Sequence, residues 1–243
     1  MASLIHHLRS TVNRALEPFG IRLETRRAVR DPVRLLCLKM NELDVETVLD
    51  IGANVGQFVG QLRREGWHGR VVSFEPVPIA HAQLQRRAKA DPHWIVAPPM
   101  ALGRQSADAP MNVSRNLVSS SLLSVEQRST DAAPESAPAG VATIRVEPLD
   151  AVLAPDWPAP FAIKLDTQGF ELEVLAGAEE TLKQTKIVMT ELSLTCLYRD
   201  GAKLTDVYAR LEDAGFECIA LTEGFLDLTN NEMLQVDGVF VRR

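Results

Sequence analysis

A chain of 243 residues, 46% hydrophobic and 24% charged, is long enough for one large domain with a well-buried core and too short for two comfortable ones; disordered and fibrous classes are excluded. The formal charge of −6 argues against a general affinity for nucleic acid, whose polyanionic backbone rewards basic surfaces, and favours a neutral or cationic partner.

In the opening stretch MASLIHHLRSTVNRALEPFGIRL, Leu4, Ile5, Leu8, Val12, Ala15 and Leu16 recur at helical spacing opposite Arg9 and Arg14. Its apolar residues are interrupted by His, Arg, Asn and Glu, with no basic leader, so it reads as an amphipathic helix and not as a signal peptide. The expected role is packing on the domain or on a second copy of the chain, as in a homodimer; peripheral contact with a membrane surface is the weaker alternative. No uncharged run reaches the roughly 18 to 20 residues that span a bilayer. Residues 1–44 are read as an N-terminal helical extension and 45–243 as the main domain.

From residue 45 the period changes. VETVLDIG predicts a strand buried on both faces, and GQFVGQLRREG a helix that Gly66 stops. GRVVSFEP is a second strand, VPIAHAQLQRRAKA a second helix, and HWIVAPPMALG a third strand interrupted by two prolines. Between residues 104 and 160 the pattern breaks into an insertion, with short strands APMNVSR and VATIRVEPL around STDAAPESAPAG, which is read as mobile. Alternation then resumes with strand FAIKLD, helix FELEVLAGAEETLKQ, strand KIVMTEL and helix KLTDVYARLEDAG. ECIALTEG and MLQVDGVFVRR leave no room for a crossover and predict an antiparallel pair. The fold class is therefore α/β: a seven-stranded, doubly wound, Rossmann-like sheet with its last strand antiparallel.

Cys37, Cys196 and Cys218 are odd in number and form no CxxC pair, which suits buried small hydrophobes in a reducing, cytoplasmic compartment. The five histidines lack HxxxH spacing, so no zinc site is expected.

In open α/β sheets ligands bind beyond the carboxyl ends of the strands, where VLDIGANVG delivers its turn. Counted from Gly52, a GxGxxG motif would need glycine at Asn54 and Gln57, so a dinucleotide, and with it a nicotinamide-dependent oxidoreductase, is disfavoured. What remains is Asp50 at the strand end, followed by Gly52 and Gly56, whose missing side chains let a ligand approach the backbone. Glu75 ends the second strand, where a carboxylate can accept from both hydroxyls of a ribose, and Asp50 can meet an ammonium. Two such acids suit S-adenosylmethionine better than a diphosphate.

The ordered blocks DIGANVGQF, SFEP, ALG, SSSL, KLDTQGFELEVLAGA and TEL resemble the FkbM family of S-adenosylmethionine-dependent methyltransferases over about residues 45–195. The resemblance implies O-methylation of hydroxyls on sugars, glycolipids or polysaccharides, with polyketide or lipid hydroxyls as the alternative. It extends the cofactor-binding set to Asp50, Gly52, Asn54, Gly56, Glu75, Ala101 and Ser120. The family's more frequent block reads KIDVEGaE; Gln168 here replaces a Glu, which puts in doubt any catalytic acid at that position. A retained fold acting only as a cofactor-binding module is the competing non-enzymatic reading.

Methyl transfer from a sulfonium needs the acceptor oxygen aligned at about 3 to 3.5 Å and relieved of its proton. Asp166 and Glu191 end strands expected as neighbours, about 4.8 Å apart, so their carboxylates could converge. Asp166 is read as the base, Glu191 as orienting the substrate and Lys164 as tuning charge; the competing readings are a Mg²⁺ site on Asp166 and Glu191, or helix capping. Glu171 falls in the first turn of a helix, where an acid suits the dipole, and Ser119, Ser120 and Ser121 are candidates for ligand or acceptor contact.

Overall fold

The computed structural model describes residues 31–243. The amphipathic stretch read at residues 4–16 lies outside them. In chain order the elements are α1 (Pro32–Glu42), β1 (Thr47–Ile51), α2 (Gln57–Arg64), β2 (Arg70–Phe74), α3 (Pro78–Ala88), β3 (Trp94–Val96), β4 (Ala101–Leu102), β5 (Ala107–Ser114), α4 (Gln127–Ala132), β6 (Pro138–Glu147) and α5 (Leu149–Val152). They continue with β7 (Phe161–Leu165), α6 (Glu171–Ala176), α7 (Glu179–Lys183), β8 (Thr185–Ser193), α8 (Leu204–Asp213), β9 (Glu217–Glu223), β10 (Leu226–Asp227), β11 (Glu232–Met233) and β12 (Gln235–Val241).

Seven strands form the large sheet in the order β3-β2-β1-β7-β8-β12-β9. The β1, β2, β3, β7 and β8 ladders are parallel, while β12 runs antiparallel to both β8 and β9. The doubly wound sheet with an antiparallel last strand is thus present, and β12 is inserted between two strands made before it. Side chains alternate as the pleat demands: Leu49, Ile51, Ile163, Leu165 and Val188 face one core, Val48, Ala162, Ile187 and Met189 the other. The first core is closed by Val174, Leu182, Val207 and Leu211 of α6, α7 and α8, the second by α1 and α2. In α1, Val33, Leu36, Cys37 and Met40 make one inward stripe, and the Asp31 carboxylate caps the helix by accepting the Arg34 N–H at 3.2 Å. Among the described residues no helix is long and apolar enough to cross a membrane.

Three local expectations need correcting. HWIVAPPMALG is not one strand: Pro98 and Pro99 lack the N–H a ladder needs, so β3 stays in the large sheet while β4 leaves it to pair with β6 in a second sheet, β4-β6-β5. FELEVLAGAEETLKQ is not one helix, because the chain breaks between α6 and α7 at Gly177, where a Cβ would stand 2.0 Å from the Gly103 carbonyl oxygen. STDAAPESAPAG is ordered: its Ser129 and Ser136 are buried, the Ser136 N–H donates to the Ala133 carbonyl at 2.8 Å, and Ala132 packs against a cluster of Leu197, Tyr198 and Leu234. The insertion lies over the carboxyl ends of the strands and, with them, encloses the site.

Candidate active site

At the end of β1 the chain turns through left-handed conformations at Gly52 (φ 77°), Asn54 (φ 47°) and Gly56 (φ 88°). The Gly52 and Ala53 N–H groups donate to the Phe74 carbonyl at 3.1 and 3.0 Å, tying the turn to β2. Gly52 lines two clefts, and both glycines also serve the protein's own packing. A Cβ on Gly52 would lie 1.9 Å from the Asp166 carbonyl oxygen, and one on Gly56 would lie 2.4 Å from the Trp94 ring. The missing side chains admit the protein's own neighbouring chain, because β1 and β7 run in parallel register and leave the sheet at one level.

Asp50, read as meeting a ligand ammonium directly or through water, is fully buried one residue below the turn and lines none of the cavities described here. Its carboxylate accepts from the Ser73 hydroxyl at 2.8 Å and faces the Lys164 ammonium at 3.8 Å. Burial pushes its pKa up, against the opposing pull of Lys164 and Ser73. The ammonium beside Asp50 thus belongs to the protein itself.

Glu75, just beyond β2, is buried and lines a cleft of about 590 Å³ with Gly52, Asn54, Ala101, Ser120 and Asp166. Its two carboxylate oxygens accept the backbone N–H groups of Asn54 at 2.8 Å and Val77 at 2.7 Å. Burial raises its pKa to about 7 although both hydrogen bonds oppose the rise. A carboxylate has about four acceptor positions, so two remain after these bonds. The Asn54 side-chain N–H₂ is buried with no hydrogen-bond partner among the described residues. Ala101 reaches the cleft from β4 and not from the large sheet. The Ser120 hydroxyl lines the same cleft while donating to the Leu117 carbonyl at 2.8 Å and accepting the Ser114 N–H at 3.1 Å.

Asp166 borders both this cleft and a second one, of about 790 Å³, that Lys164, Glu191 and Asp237 also line. Lys164 Nζ donates to Asp166 Oδ2 at 3.0 Å and to the Gly52 carbonyl at 3.2 Å. Burial works against its charge, but the Asp166 and Asp50 carboxylates outweigh it and raise the pKa. Asp166 and Glu191 do converge, and Gln168 joins them: its Nε2 donates to Asp166 Oδ1 at 2.6 Å and to Glu191 Oε2 at 3.0 Å. The Tyr198 hydroxyl donates to Gln168 Oε1 at 2.6 Å, which fixes the amide the right way round. Burial and the neighbouring Asp166 and Asp237 push Glu191 well above the ordinary carboxylate range, and burial with Asp166 raises Asp237 to about 6.

Tyr198, Gln235 and Asp237 were missed in the sequence. Asp237 stands opposite Glu191 in the β8–β12 ladder, and Gln235 Nε2 reaches Glu191 Oε2 at 3.3 Å. Other candidates resolve into supports. Glu171 is buried and accepts from the Thr167 and Gly169 N–H groups at 3.1 Å, bracing the turn that carries Gln168. The Ser121 hydroxyl donates to the Gln168 carbonyl at 2.8 Å, and Ser119 closes a local turn with Asn116. Cys37 is a buried core thiol, pushed by burial to about 11, whereas Cys196, expected buried, is exposed because it lies on the open loop after β8.

The donor set does not fit the Mg²⁺ site considered for Asp166 and Glu191. The Gln168 amide presents N–H groups to both carboxylates where a cation would have to bind, and Lys164 holds the other Asp166 oxygen. No group of three or more His, Cys, Asp or Glu among the described residues is arranged to hold a metal ion.

The chain is 25% identical over 184 residues to the hexuronic acid methyltransferase AglP of Haloferax volcanii, covering 75% of this chain and 70% of that protein. Solved structures similar to it include the precorrin-6y C5,15-methyltransferase of Geobacter metallireducens GS-15 (TM-score 0.45, 16% identity, 91% of this chain and 94% of that one). Another is the ribosomal protein L11 methylase of Lactobacillus delbrueckii subsp. bulgaricus (TM-score 0.43, 8% identity, 88% and 79%). The model of the methyltransferase FkbM domain matches residues 50–218, more than half of the sequence, and the chain belongs to that family of methyltransferases.

Proposed function

We propose that the protein is an S-adenosylmethionine-dependent O-methyltransferase acting on a hydroxyl of a sugar or glycosylated metabolite. The observation that carries this reading is Glu75: a strand-end carboxylate, positioned by two backbone N–H groups, that keeps acceptor capacity toward a cleft ending at Asp166. A ribose with both hydroxyls free fits that capacity, and a 2′-phosphate would be repelled. The unpartnered Asn54 amide supplies a donor in the same cleft, and Met100, Ala101, Leu102 and Phe170 supply apolar walls for a flat base. When bound, the cofactor supplies an electrophilic methyl group.

Asp166 lies where the two clefts meet and is assigned as the base that takes the acceptor hydroxyl's proton. Lys164 and Gln168 hold its two oxygens in place, so the carboxylate is oriented before the acceptor arrives. Glu191, on the far side of Gln168, orients the acceptor. The relative's name, a hexuronic acid methyltransferase, supports a sugar as the acceptor class. Three free cysteines support a reducing, cytoplasmic setting.

Isothermal titration calorimetry with S-adenosylmethionine, followed by a labelled-methyl screen of sugar, glycolipid and polyketide hydroxyls, tests the reading. Cofactor binding that Glu75→Ala abolishes and transfer to sugars are expected. Tight cofactor binding without transfer to any acceptor would replace the enzyme by a binding module.

A further inference from the structure

Resting on that sugar reading, we infer that the acceptor side of the site takes an electrically neutral sugar unit and turns acidic sugars away, in contrast to the hexuronic acid in the name of the 25% identical relative. Three cavities share the exposed Val118: the donor cleft, the second cleft beside Lys164, and a third of about 600 Å³ beside Tyr198. Their ionisable lining is four carboxyl groups, Glu75, Asp166, Glu191 and Asp237, against one amine, Lys164.

That amine is already committed. Lys164 Nζ donates to Asp166 Oδ2 and to the Gly52 carbonyl, and it is the cation that faces the fully buried Asp50 at 3.8 Å. Drawing it toward an incoming carboxylate would leave a buried charge uncompensated, one of the costlier changes a protein interior can undergo. An acceptor carboxylate or phosphate therefore meets no free cation in these cavities among the described residues. In the cleft beyond Met189, Arg64 is exposed and shares its surroundings with Asp31, Glu65 and Asp237.

The same lining suits hydroxyl groups. Asp237, half-buried on β12 opposite Glu191, accepts no side-chain hydrogen bond among the described residues, which leaves its oxygens open to a donor. The third cavity adds Asn116, Ser119, Gln235 and the aromatic faces of Tyr198 and Phe225, a neutral set able to meet both the polar edge and the C–H face of a sugar ring. Burial first, and Asp166 second, raise the pKa of both Glu191 and Asp237, so the pocket already resists holding negative charge, and an acceptor anion would meet the same resistance.

Methyl transfer from labelled S-adenosylmethionine to matched p-nitrophenyl glycosides tests the inference, with glucoside set against glucuronide and galactoside against galacturonide at one ionic strength. The neutral member of each pair is expected to show a kcat/KM about tenfold or more higher. Asp237→Asn is expected to narrow that ratio while calorimetric binding of the cofactor is kept. Uronides used as well as or better than the neutral sugars, or a ratio that Asp237→Asn leaves unchanged, overturn the inference while the sugar reading stands. Transfer to neither member of any pair, with the cofactor bound, overturns the sugar reading and this inference with it.

Discussion

Glu75, buried, and Glu191, half-buried, are both carboxylates near the carboxyl ends of parallel strands, and they are held in opposite ways. Glu75 accepts from two backbone N–H groups, those of Asn54 and Val77. Glu191 accepts from two side-chain amides, those of Gln168 and Gln235. Backbone donors survive any substitution that preserves the turn, whereas side-chain donors change with a single codon. The half proposed to hold the methyl donor is therefore fixed by the fold, while the half proposed for the acceptor can be retuned without touching it.

The sharpest way to break this comparison is at Gly52, which both halves share. Gly52→Ala forces a Cβ against the Asp166 carbonyl from a backbone at φ 77°, and should destabilise the protein by about 3 kcal/mol or more, read as a collapse in thermal midpoint or soluble yield. Next comes Asp166→Asn, expected to lower kcat by about 10²- to 10⁴-fold while leaving calorimetric affinity for the cofactor nearly unchanged. Normal turnover in that variant would move the base elsewhere.

The fixed half has a pH signature. With its pKa near 7, Glu75 is mostly ionised at pH 8 and mostly protonated at pH 6, so cofactor affinity should fall about tenfold between the two, and Glu75→Gln should bind weakly with no such slope. Stability runs the other way. Because folding raises this pKa, Glu75's contribution is fully present below its ordinary value and is lost as the pH rises through about 7. The smallest expected effect belongs to Tyr198→Phe, which leaves Gln168 Oε1 without its donor. It should cost about 1 to 2 kcal/mol in denaturant unfolding and reduce kcat a few-fold, with KM for the cofactor unmoved.

What the sequence revealed divides along the same line. The strand and helix alternation, the stop at Gly66 and the importance of Glu75 follow from local pattern, because the partners of Glu75 lie in its own turn and the one before it. Asp237 and Gln235 become part of the site only through the register of β12 on β8, and nothing in VDGVFV names the strand it will join. Tyr198 likewise reaches Gln168 across 30 positions. The glycines of the first turn were recognisable, but their reason was not: the atom each accommodates belongs to a distant segment, Asp166 or Trp94. The prolines that divide β3 from β4 were also in view, yet only the second sheet gives β4 a place to go.

The insertion of β12 between β8 and β9 also sets a timetable. Both neighbours are synthesised first, and until the chain reaches Gln235 β8 waits with one edge unpaired and β9, the end strand, with both. Unpaired edges invite other strands, so this interval is when a nascent molecule is most exposed to association with its neighbours. Asp237 and Gln235 arrive on that same strand, so the pocket proposed for the acceptor is completed at the moment the sheet closes.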